Sequence, residues 1–505
     1  MHRRYHVIPL VTALLAACST DVVAPLKVPT GPHLAVATDG TGDYIVTSNG
    51  KGFGAGFAEK VASLGGRVTY QHDNAGFAAV SGLTASAATQ LRAVGGINSV
   101  DADAVISLDS PMATAEADAT SVGDDVANSV ANPAGAARYS FQWNMRQIGA
   151  NVAWAAGHLG DPGVTVAILD TGIDYDVNDM NGLVDRSRSH SFMSTYVRAQ
   201  THADSILTPA QVIARADDSV TKAFFPTRDS ISDYSGHGTN VATQVSSKAF
   251  ALAGVTSKTT LIGVKVLGSN GSGSLSSVLS GVLWAADHGA DVANMSLGGG
   301  FGKSGNGFFV GLINRVFNYA NRAGMLIVVS AGNSSADLQH NGNTESTYCD
   351  SPHVICVSAV GPTVPTGNPD TPAFYTNFGR GSLDIAAPGG NANFNSSGAV
   401  VPVPGWPWGT DFASWVWSYC SKTTFAGFTA ANVPILTVCA SGTRLTGYIG
   451  TSQASPHVAG LAASLVAEMG HGQPSAIKHA ILKSAADINP LLGRGRVSVS
   501  NAFGL

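Results

Sequence analysis

Three segments of the chain combine a reactive side chain with small neighbours, which is the setting that nucleophilic catalysis requires. Asp170 follows the apolar run 164–169, His237 lies between two glycines where an apolar-periodic segment begins, and Ser452 precedes another helical segment. A serine hydroxyl becomes a nucleophile when an imidazole accepts its proton and a carboxylate fixes the tautomer of that imidazole. Taken singly, these residues are more often a turn former, a solvated histidine and a helix cap. Together they predict a catalytic triad.

Alternating strands and helices must position these side chains. Apolar runs predict strands that are buried on both faces of a parallel sheet. They lie at 164–169, 261–267, 291–297, 325–330 and 354–360, with helices predicted at 275–288 and 309–322. This alternation predicts a doubly wound, mostly parallel α/β sheet with helices on both faces. Functional sites in such sheets lie at the carboxyl ends of strands, where Asp170 is expected.

Four motifs resemble the signature stretches of the subtilisin-like serine proteases (the subtilases, peptidase family S8). They are Asp-Thr-Gly-Ile-Asp at 170–174, His-Gly-Thr at 237–239, Ser-Ala-Gly-Asn at 330–333, and Gly-Thr-Ser-Gln-Ala-Ser-Pro-His-Val-Ala-Gly at 450–460. The resemblance covers roughly residues 140–390 and 445–490. The chain order Asp, His, Ser is that of subtilisin, whereas α/β-hydrolases run Ser, acid, His. The resemblance implies a subtilisin-like fold and a serine endopeptidase that works through an acyl-enzyme.

The resemblance also implies individual roles. Ser452 would be the nucleophile, His237 the general base and then acid, and Asp170 its orienting carboxylate. The side-chain amide of Asn333 would stabilise the oxyanion. The residues that would bind extended substrate are Gly271, Ser272, Gly273, Ser296, Leu297, Gly298, Ala331 and Gly332. The expected partners are protein or peptide substrates, with a broad apolar preference, and the chemistry requires no cofactor.

Three positions depart from the family pattern. Asn240 stands where a second histidine is usual, and Gln453 stands where methionine is common after the serine. Asp179 lies where the family often has a calcium ligand, but the loop at 246–254 is short for the family's ligand loop. A Ca²⁺ site requires six to eight oxygen ligands, and the sequence does not identify them. A structural Ca²⁺ therefore stays possible, and the metal-ligating residues are unknown.

The N-terminus predicts export. A short basic start precedes an apolar stretch at 7–17 that is too short to span a bilayer, and Leu15-Ala16-Ala17-Cys18 resembles a bacterial lipobox with Cys18 as the lipidated residue. An ordinary signal peptide with a chance cysteine is the alternative. Residues 1–18 are therefore predicted to be a lipoprotein signal, and 19–42 a polar tether. The protein would be membrane-anchored, extracellular after processing, or both.

Residues 43–108 predict a small α+β unit. Strands and helices follow in the order β-α-β-β-α-β, which is typical of a ferredoxin-like module. The strands are predicted at 44–47, 68–70, 76–80 and 97–106, and the helices at 57–64 and 85–94. Before a subtilisin-like domain, such a module resembles an inhibitor I9-type propeptide, which would assist folding, inhibit the enzyme and then be removed. Residues 109–138 have a linker composition, so cleavage is expected between 107 and 138, and the catalytic domain spans 139–505.

The remaining cysteines and an insertion complete the catalytic domain. Short sequence separations favour the disulfides Cys349–Cys356 and Cys420–Cys439, with free thiols as the alternative. The insertion at 391–445 holds four tryptophans: Trp406, Trp408, Trp415 and Trp417. It is predicted either as a surface lobe whose aromatic rings pack on themselves or as a flap beside the cleft.

Composition limits the remaining functions. The 505 residues are 44% hydrophobic and 12% charged, as in a compact globular protein. A net charge of −5 without a Lys/Arg-rich run gives no indication of nucleic-acid binding. A monomer is expected. Two alternatives stay open, a catalytically silent subtilisin-fold binding protein and a protease restricted to a few surface proteins.

Overall fold

The computed structural model describes residues 40–50, 52–108, 113–118, 129–198, 207–298, 300–346, 348–363, 367–392, 414–437, 439 and 444–505. The predictions on Cys18, on residues 19–39 of the tether, and on Trp406 and Trp408 lie outside these residues, whereas the last two residues of the predicted tether belong to the first strand. None of the helices in the described ranges has the length and apolar run that a membrane span requires.

The strands are numbered along the chain. They are β1 (Thr41–Ser48), β2 (Arg67–His72), β3 (Phe77–Thr84), β4 (Ile97–Ala102), β5 (Val105–Ser107), β6 (Ala113–Asp118), β7 (Thr165–Asp170), β8 (His190–Ser191), β9 (Thr260–Lys265), β10 (Ser272–Ser274), β11 (Val292–Met295), β12 (Gly300–Gly302), β13 (Leu326–Ser330), β14 (Thr344–Ser346), β15 (Val354–Val360), β16 (Ile385–Pro388), β17 (Val416–Tyr419), β18 (Phe425–Phe428), β19 (Pro434–Leu436) and β20 (Arg444–Ile449).

The α-helices are named by their residues. They are Phe57–Ser63, Ala85–Arg92, Trp143–Gln147, Ala150–Ala155, Pro209–Arg215, Asp217–Phe224, His237–Val245, Leu275–Asp287, Gly307–Arg322, Thr451–Met469, Pro474–Lys483 and Val499–Ala502. The helix that begins at His237 is called the His237 helix below, and the helix Thr451–Met469 is called the Ser452 helix.

A seven-stranded parallel sheet forms the centre of the larger unit, in the order β16-β15-β13-β11-β7-β9-β8. Successive residues of β7 point to opposite faces, as in any strand. Val166 and Ile168 belong to one core with Val241 of the His237 helix, while Ala167 and Leu169 belong to a second core. Because apolar helices cover both faces, every residue of β7 is buried, and the predicted fold class is confirmed.

The N-terminal unit is a four-stranded antiparallel sheet in the order β2-β3-β1-β4. One face packs against the helices Phe57–Ser63 and Ala85–Arg92 around Val46 and Val80. The opposite face contributes Ile45, Phe77 and Ala79 to the second core of the larger unit. The two units are therefore joined through buried apolar side chains.

The last predicted strand of this unit, 97–106, is not continuous. β4 ends at Ala102, and β5 begins at Val105 and pairs with β10 of the larger unit instead. The break is at Asp103, whose carboxylate accepts hydrogen bonds from the backbone N–H of Ser276, at 3.0 Å, and from its hydroxyl. A carboxylate that accepts the free N–H groups at the start of a helix stabilises that helix. The chain therefore leaves the sheet at Asp103, where this side chain caps the helix Leu275–Asp287.

The segment with a linker composition also contains regular structure. β6 pairs with β20, and further along the Ala137 and Arg138 N–H groups donate to the carbonyls of Phe250 and Ala251 at 3.0 and 2.8 Å. Small side chains do not prevent such pairing because the bonds are made by the backbone. Composition alone therefore missed these contacts.

Two tryptophans of the insertion, Trp415 and Trp417, lie in the protein core and not in a surface lobe. Trp415 and Trp417 are buried in the main core, on either side of Val416 in β17. The indole N–H of Trp143 donates to the Trp415 carbonyl at 3.0 Å. The prediction of a self-packed surface lobe was wrong for these two residues, because β17 is a core strand that pairs with β20 and lies against the His237 helix.

Candidate active site

Asp170 ends β7 with its side chain fully buried. Its Oδ1 lies 2.8 Å from Nδ1 of His237 and also accepts the backbone N–H of Thr171 at 2.7 Å. Gly172 then turns the chain away with a φ of +112°, and a Cβ at this position would overlap the carbonyl oxygen of Ile231. Glycine is therefore required two residues after Asp170.

His237 starts its helix against the end of β7. The close approach depends on Gly238, because a Cβ there would overlap the Gly172 carbonyl oxygen. Burial disfavours the imidazolium, but the charge and hydrogen bond of Asp170 and the charge of Asp233 outweigh it and raise the pKa of His237. Its Nε2 is buried and has no hydrogen-bond partner in the described part of the chain.

Ser452 lies in the first turn of its helix, which follows β20 through Gly450. Its hydroxyl donates to the carbonyl oxygen of Ser296 at 3.3 Å, while the Ser296 hydroxyl donates to the Ser452 carbonyl at 2.7 Å. The hydroxyl of Ser452 is therefore not bonded to Nε2 of His237 in this arrangement. Hydrogen bonds between catalytic groups are often long or absent before substrate binds.

Asn333 follows β13 with its amide in a defined orientation. Its Oδ1 accepts the backbone N–H of Thr451 at 2.8 Å and the Thr451 hydroxyl at 2.9 Å. The Thr451 hydroxyl also accepts the N–H of Gly332 at 3.0 Å. Both bonds therefore fix the orientation of the side-chain amide, with the oxygen as acceptor and the NH₂ group as its donor end. The neighbouring Ala331 is buried, as is Leu297 beside Ser296.

The residues predicted to bind extended substrate hold a segment of the chain itself. β5 pairs antiparallel with β10, with Ile106 opposite Gly273 and Ser107 opposite Ser272. On its other side, Ser107 forms an antiparallel bridge with Gly298.

The contact continues by one residue beyond β5, because the N–H of Leu108 donates to the carbonyl of Gly271 at 2.8 Å. Residues 105–108 therefore lie as a strand in a groove that leads toward His237, and Leu108 and His237 line the same pocket.

The insertion forms the other wall of that pocket. Cys420, Ser421, Phe425 and Cys439 line it beside His237 and Leu108. Both predicted disulfides are present, with Cα–Cα distances of 5.1 Å for Cys349–Cys356 and 5.3 Å for Cys420–Cys439. The second disulfide therefore lies at the cleft.

Asn240 and Gln453, two residues that differ from the family pattern, contact each other. The amide of Gln453 donates to Oδ1 of Asn240 at 3.3 Å, and the Asn240 amide donates to the Val416 carbonyl at 3.2 Å and the Ser418 hydroxyl at 3.1 Å. These polar residues therefore connect both helices of the site to β17 of the insertion.

The surroundings of Asp179 do not fit a cation. Its Oδ1 accepts the N–H groups of Phe250 and Ala251 at 2.7 and 3.0 Å, and its Oδ2 accepts that of Leu252 at 3.1 Å. A Ca²⁺ ion needs oxygen ligands, whereas this loop presents N–H donors. The described residues also contain no group of three or more His, Cys, Asp or Glu side chains that could hold a metal.

Sequence reasoning missed Asp233 and Tyr448. Asp233 is fully buried and accepts the Gly236 N–H at 2.8 Å and the Thr239 N–H at 2.8 Å, so it shapes the turn before His237. An aspartate four residues before the histidine of a glycine-rich motif is a signal that could have found it. The ring of Tyr448 lies edge-on to the His237 ring, with 6.0 Å between the centroids.

The sequence profile of the Subtilase family matches residues 161–505. The chain belongs to the subtilase family. The match covers the sheet, the His237 helix and the Ser452 helix, so the sequence and the fold of these elements are those of a subtilase.

Two known subtilases are similar in sequence to more than half of this chain. Alkaline elastase YaB from Bacillus sp. is 31% identical over 52% of this chain and 57% of its own length. Thermitase from Thermoactinomyces vulgaris is 27% identical over 69% of this chain and 89% of its own length. The chain thus spans little more than half of the elastase but most of thermitase.

A solved structure extends the similarity of the fold. The epidermin leader peptide processing serine protease from Staphylococcus aureus superposes with a TM-score of 0.65. The alignment covers 92% of this chain and 98% of that chain at 19% sequence identity. At this identity the likeness concerns the fold alone.

Proposed function

We propose that this subtilase is an exported serine endopeptidase, made as a self-processing precursor, with Asp170, His237 and Ser452 as its triad. The observation that carries the proposal is the buried 2.8 Å contact of Asp170 with His237 beside the helix that presents Ser452. An extended segment of the chain occupies the groove next to them.

The chemistry follows from the positions of these groups. Ser452 Oγ attacks the carbonyl carbon of the scissile peptide bond as Nε2 of His237 accepts its proton. Asp170 keeps the proton on Nδ1 and stabilises the imidazolium. The NH₂ group of Asn333 and the backbone N–H of Ser452 bind the oxyanion, and His237 then protonates the leaving amine. Water then attacks the acyl-enzyme while His237 accepts its proton, and His237 returns a proton to Ser452 Oγ as the acyl group leaves.

The pairing of β5 supports the precursor part of the proposal. A strand in the substrate groove blocks access of other substrates, so residues 43–108 act as an inhibitor until cleavage separates them. We place the maturation site beyond Leu108 and within residues 109–138, as the sequence predicts. If Cys18 carries a lipid, this cleavage also releases the protease from the membrane.

Labelling with a fluorophosphonate tests the proposal directly. We expect one labelled residue, Ser452, and loss of labelling in Ser452→Ala and His237→Ala. Ser455→Ala is the matched control, because Ser455 lies in the same helix and its hydroxyl is 2.9 Å from that of Ser296. Wild-type protein that resists labelling while folded would favour the catalytically silent alternative.

A further inference from the structure

The Cys420–Cys439 disulfide closes a loop of the insertion beside His237. The residues 421–437 of this loop are called the clipped loop below. They include β18 and β19, which pair only with each other among the described strands. A two-stranded ribbon is marginally stable by itself, so the clipped loop depends on the disulfide and on its contacts with the rest of the chain.

The clipped loop contacts the turn that precedes His237. The hydroxyls of Ser421 and Thr423 donate to the backbone carbonyl of Asp233 at 2.6 and 2.9 Å. All three residues are buried, so bulk water does not compete for these bonds. The backbone of the turn is therefore held by hydroxyl groups from a distant part of the sequence.

Packing extends this contact to the next residues of the turn. The N–H of Phe425 donates to the Tyr234 carbonyl at 3.2 Å, and the two rings lie 5.4 Å apart in a small core. At Gly236, the residue before His237, a Cβ would lie 3.2 Å from the Thr424 methyl group. The clipped loop therefore packs against the turn as far as the residue that precedes the histidine.

Asp233 joins this turn to both catalytic motifs. Its Oδ1 accepts the hydroxyl of Thr171, the residue after Asp170, at 2.9 Å. Its Oδ2 accepts the N–H of Thr239, in the first turn of the His237 helix, at 2.8 Å. The carboxylate of Asp233 thus connects the Asp170 segment to the His237 helix, while its carbonyl is bound by the clipped loop. A shift of the loop would move both segments.

We infer that Ser421 and Thr423 are positioning residues for His237. They act in this way only while the disulfide that closes the clipped loop is intact. The inference rests on the proposed function, because it concerns the rate at which His237 accepts the serine proton. A displacement of about 1 Å between reacting groups can lower a rate by about a hundredfold. The enzyme therefore becomes fully active only after this disulfide has formed.

The redox step is an ordinary thiol–disulfide exchange. The thiols of Cys420 and Cys439 lose two electrons and two protons to a disulfide oxidant, whose own S–S bond becomes two thiols. A dithiol reverses the reaction and is itself oxidised to a disulfide. If the protein is exported as proposed, the bond forms only after export, because the cytosol keeps thiols reduced. The clipped loop thus couples activity to the compartment.

The test measures how fast a small fluorophosphonate without a peptide part labels Ser452 in the processed form of the full chain. Because this probe is too short to occupy the substrate groove, its rate reports the positioning of the catalytic groups. In Ser421→Ala/Thr423→Val, we expect the labelling rate to fall at least about tenfold, with the same final labelled fraction as the wild type. Partial unfolding would lower the final fraction instead.

Two further variants make the comparison specific. Ser421→Ala/Thr423→Ser restores one hydroxyl to the turn and should recover most of the lost rate. Thr429→Val removes another hydroxyl of the clipped loop, which accepts the N–H of Val433 at 3.1 Å within the loop itself. This matched control should be labelled at the wild-type rate.

Dithiothreitol, a dithiol, tests the role of the disulfide. It should slow labelling of the wild type by a similar factor, and reoxidation should restore the rate. Cys349→Ser/Cys356→Ser should respond in the same way, because it keeps the disulfide of the clipped loop. Cys420→Ser/Cys439→Ser should be labelled slowly from the start and should not respond to the dithiol.

The outcomes separate this inference from the proposed function. Wild-type labelling rates in Ser421→Ala/Thr423→Val or in Cys420→Ser/Cys439→Ser would overturn the inference and leave the endopeptidase intact. A lower labelled fraction at an unchanged rate would also overturn it, since the loop would then only stabilise the fold. Absence of labelling at Ser452 in the folded wild type would overturn the proposed function and, with it, the positioning role.

Discussion

At the scale of single residues, the site depends on two buried carboxylates that act on one imidazole. Asp170 contacts Nδ1 of His237 directly, whereas Asp233 acts through its charge and through the turn that precedes the histidine. Both favour the protonated imidazole against the effect of burial. The raised pKa makes His237 a stronger base, which helps it to remove the serine proton.

The pH dependence of activity follows from this raised pKa. The base must be neutral before it acts, so kcat/KM should increase as the pH rises through a midpoint above 6.5, the usual value for histidine. Removing the charge in Asp233→Asn should lower that midpoint and extend activity toward acid pH.

A pH profile of kcat/KM with a short peptide measures this effect. Asp218→Asn is the control, because Asp218 accepts the Ser191 hydroxyl and is not one of the carboxylates that raise the pKa of His237. A midpoint that does not move in Asp233→Asn, in a protein with unchanged kcat at high pH, would contradict the assigned charge effect.

At the scale of elements, hydrogen bonds to Asp179 hold the loop after the His237 helix. The three N–H groups that surround Asp179 come from consecutive residues, 250–252. Burial raises the pKa of Asp179 to about 7, and these N–H groups oppose the increase. The carboxylate thus connects this loop to the chain that follows β7 without an added ligand.

Asp179→Ala should therefore lower the free energy of unfolding by about 3 kcal/mol, because it leaves buried N–H groups without acceptors. A chelator should leave the melting temperature of the wild-type protein unchanged. Thermal denaturation with and without EDTA measures both. A large drop of the wild-type melting temperature in EDTA, reversed by Ca²⁺, would contradict this account.

The sequence predicted elements whose burial is uniform and missed those that depend on distant partners. β15 was predicted with its observed limits because 354–360 is apolar except for Ser358. The break at Asp103 could not be predicted, since its cause is Ser276 of another unit. The positions of Trp415 and Trp417 likewise depend on β20 and the His237 helix, which periodicity does not reveal.

In the site, too, the sequence predicted some features and missed those that depend on distant partners. The family resemblance of the motifs predicted that Asp170 and His237 meet, and their side chains are in contact. The pairing of β5 with β10 and of β6 with β20 was not predicted. It arises from backbone hydrogen bonds between distant segments, which the side-chain pattern of each segment does not reveal.

At the scale of the whole molecule, the N-terminal unit is held by polar anchors as well as by apolar contacts. Asp103 caps the helix Leu275–Asp287, and His72 Nε2 lies 3.0 Å from Asp287 at the other end of that helix. Burial raises the pKa of Asp103 to about 6, and the charge of Asp43 adds to this while the serine hydroxyl bonds oppose it.

This pKa predicts how pH affects release of the cleaved unit. Asp103 titrates near 3.8 when free and near 6 when docked, so docking takes up a proton between these values. Binding is therefore strongest below about pH 4 and weakens as the pH rises through about 6. Gel filtration of the processed chain should show more separated fragments at pH 8 than at pH 5.

Asp103→Asn should abolish that difference, whereas Asp101→Asn on β4 should retain it. Equal separation of the wild-type fragments at both pH values would show that Asp103 does not govern release.

The most direct test of the central claim compares the full chain with its Ser452→Ala variant, using mass on a gel and N-terminal sequencing. We predict that only the wild type shortens, to a form that begins within residues 109–138, and that the variant stays full length with residues 105–108 in the groove. Identical processing of both proteins would contradict the claim that Ser452 is the nucleophile that cuts its own chain.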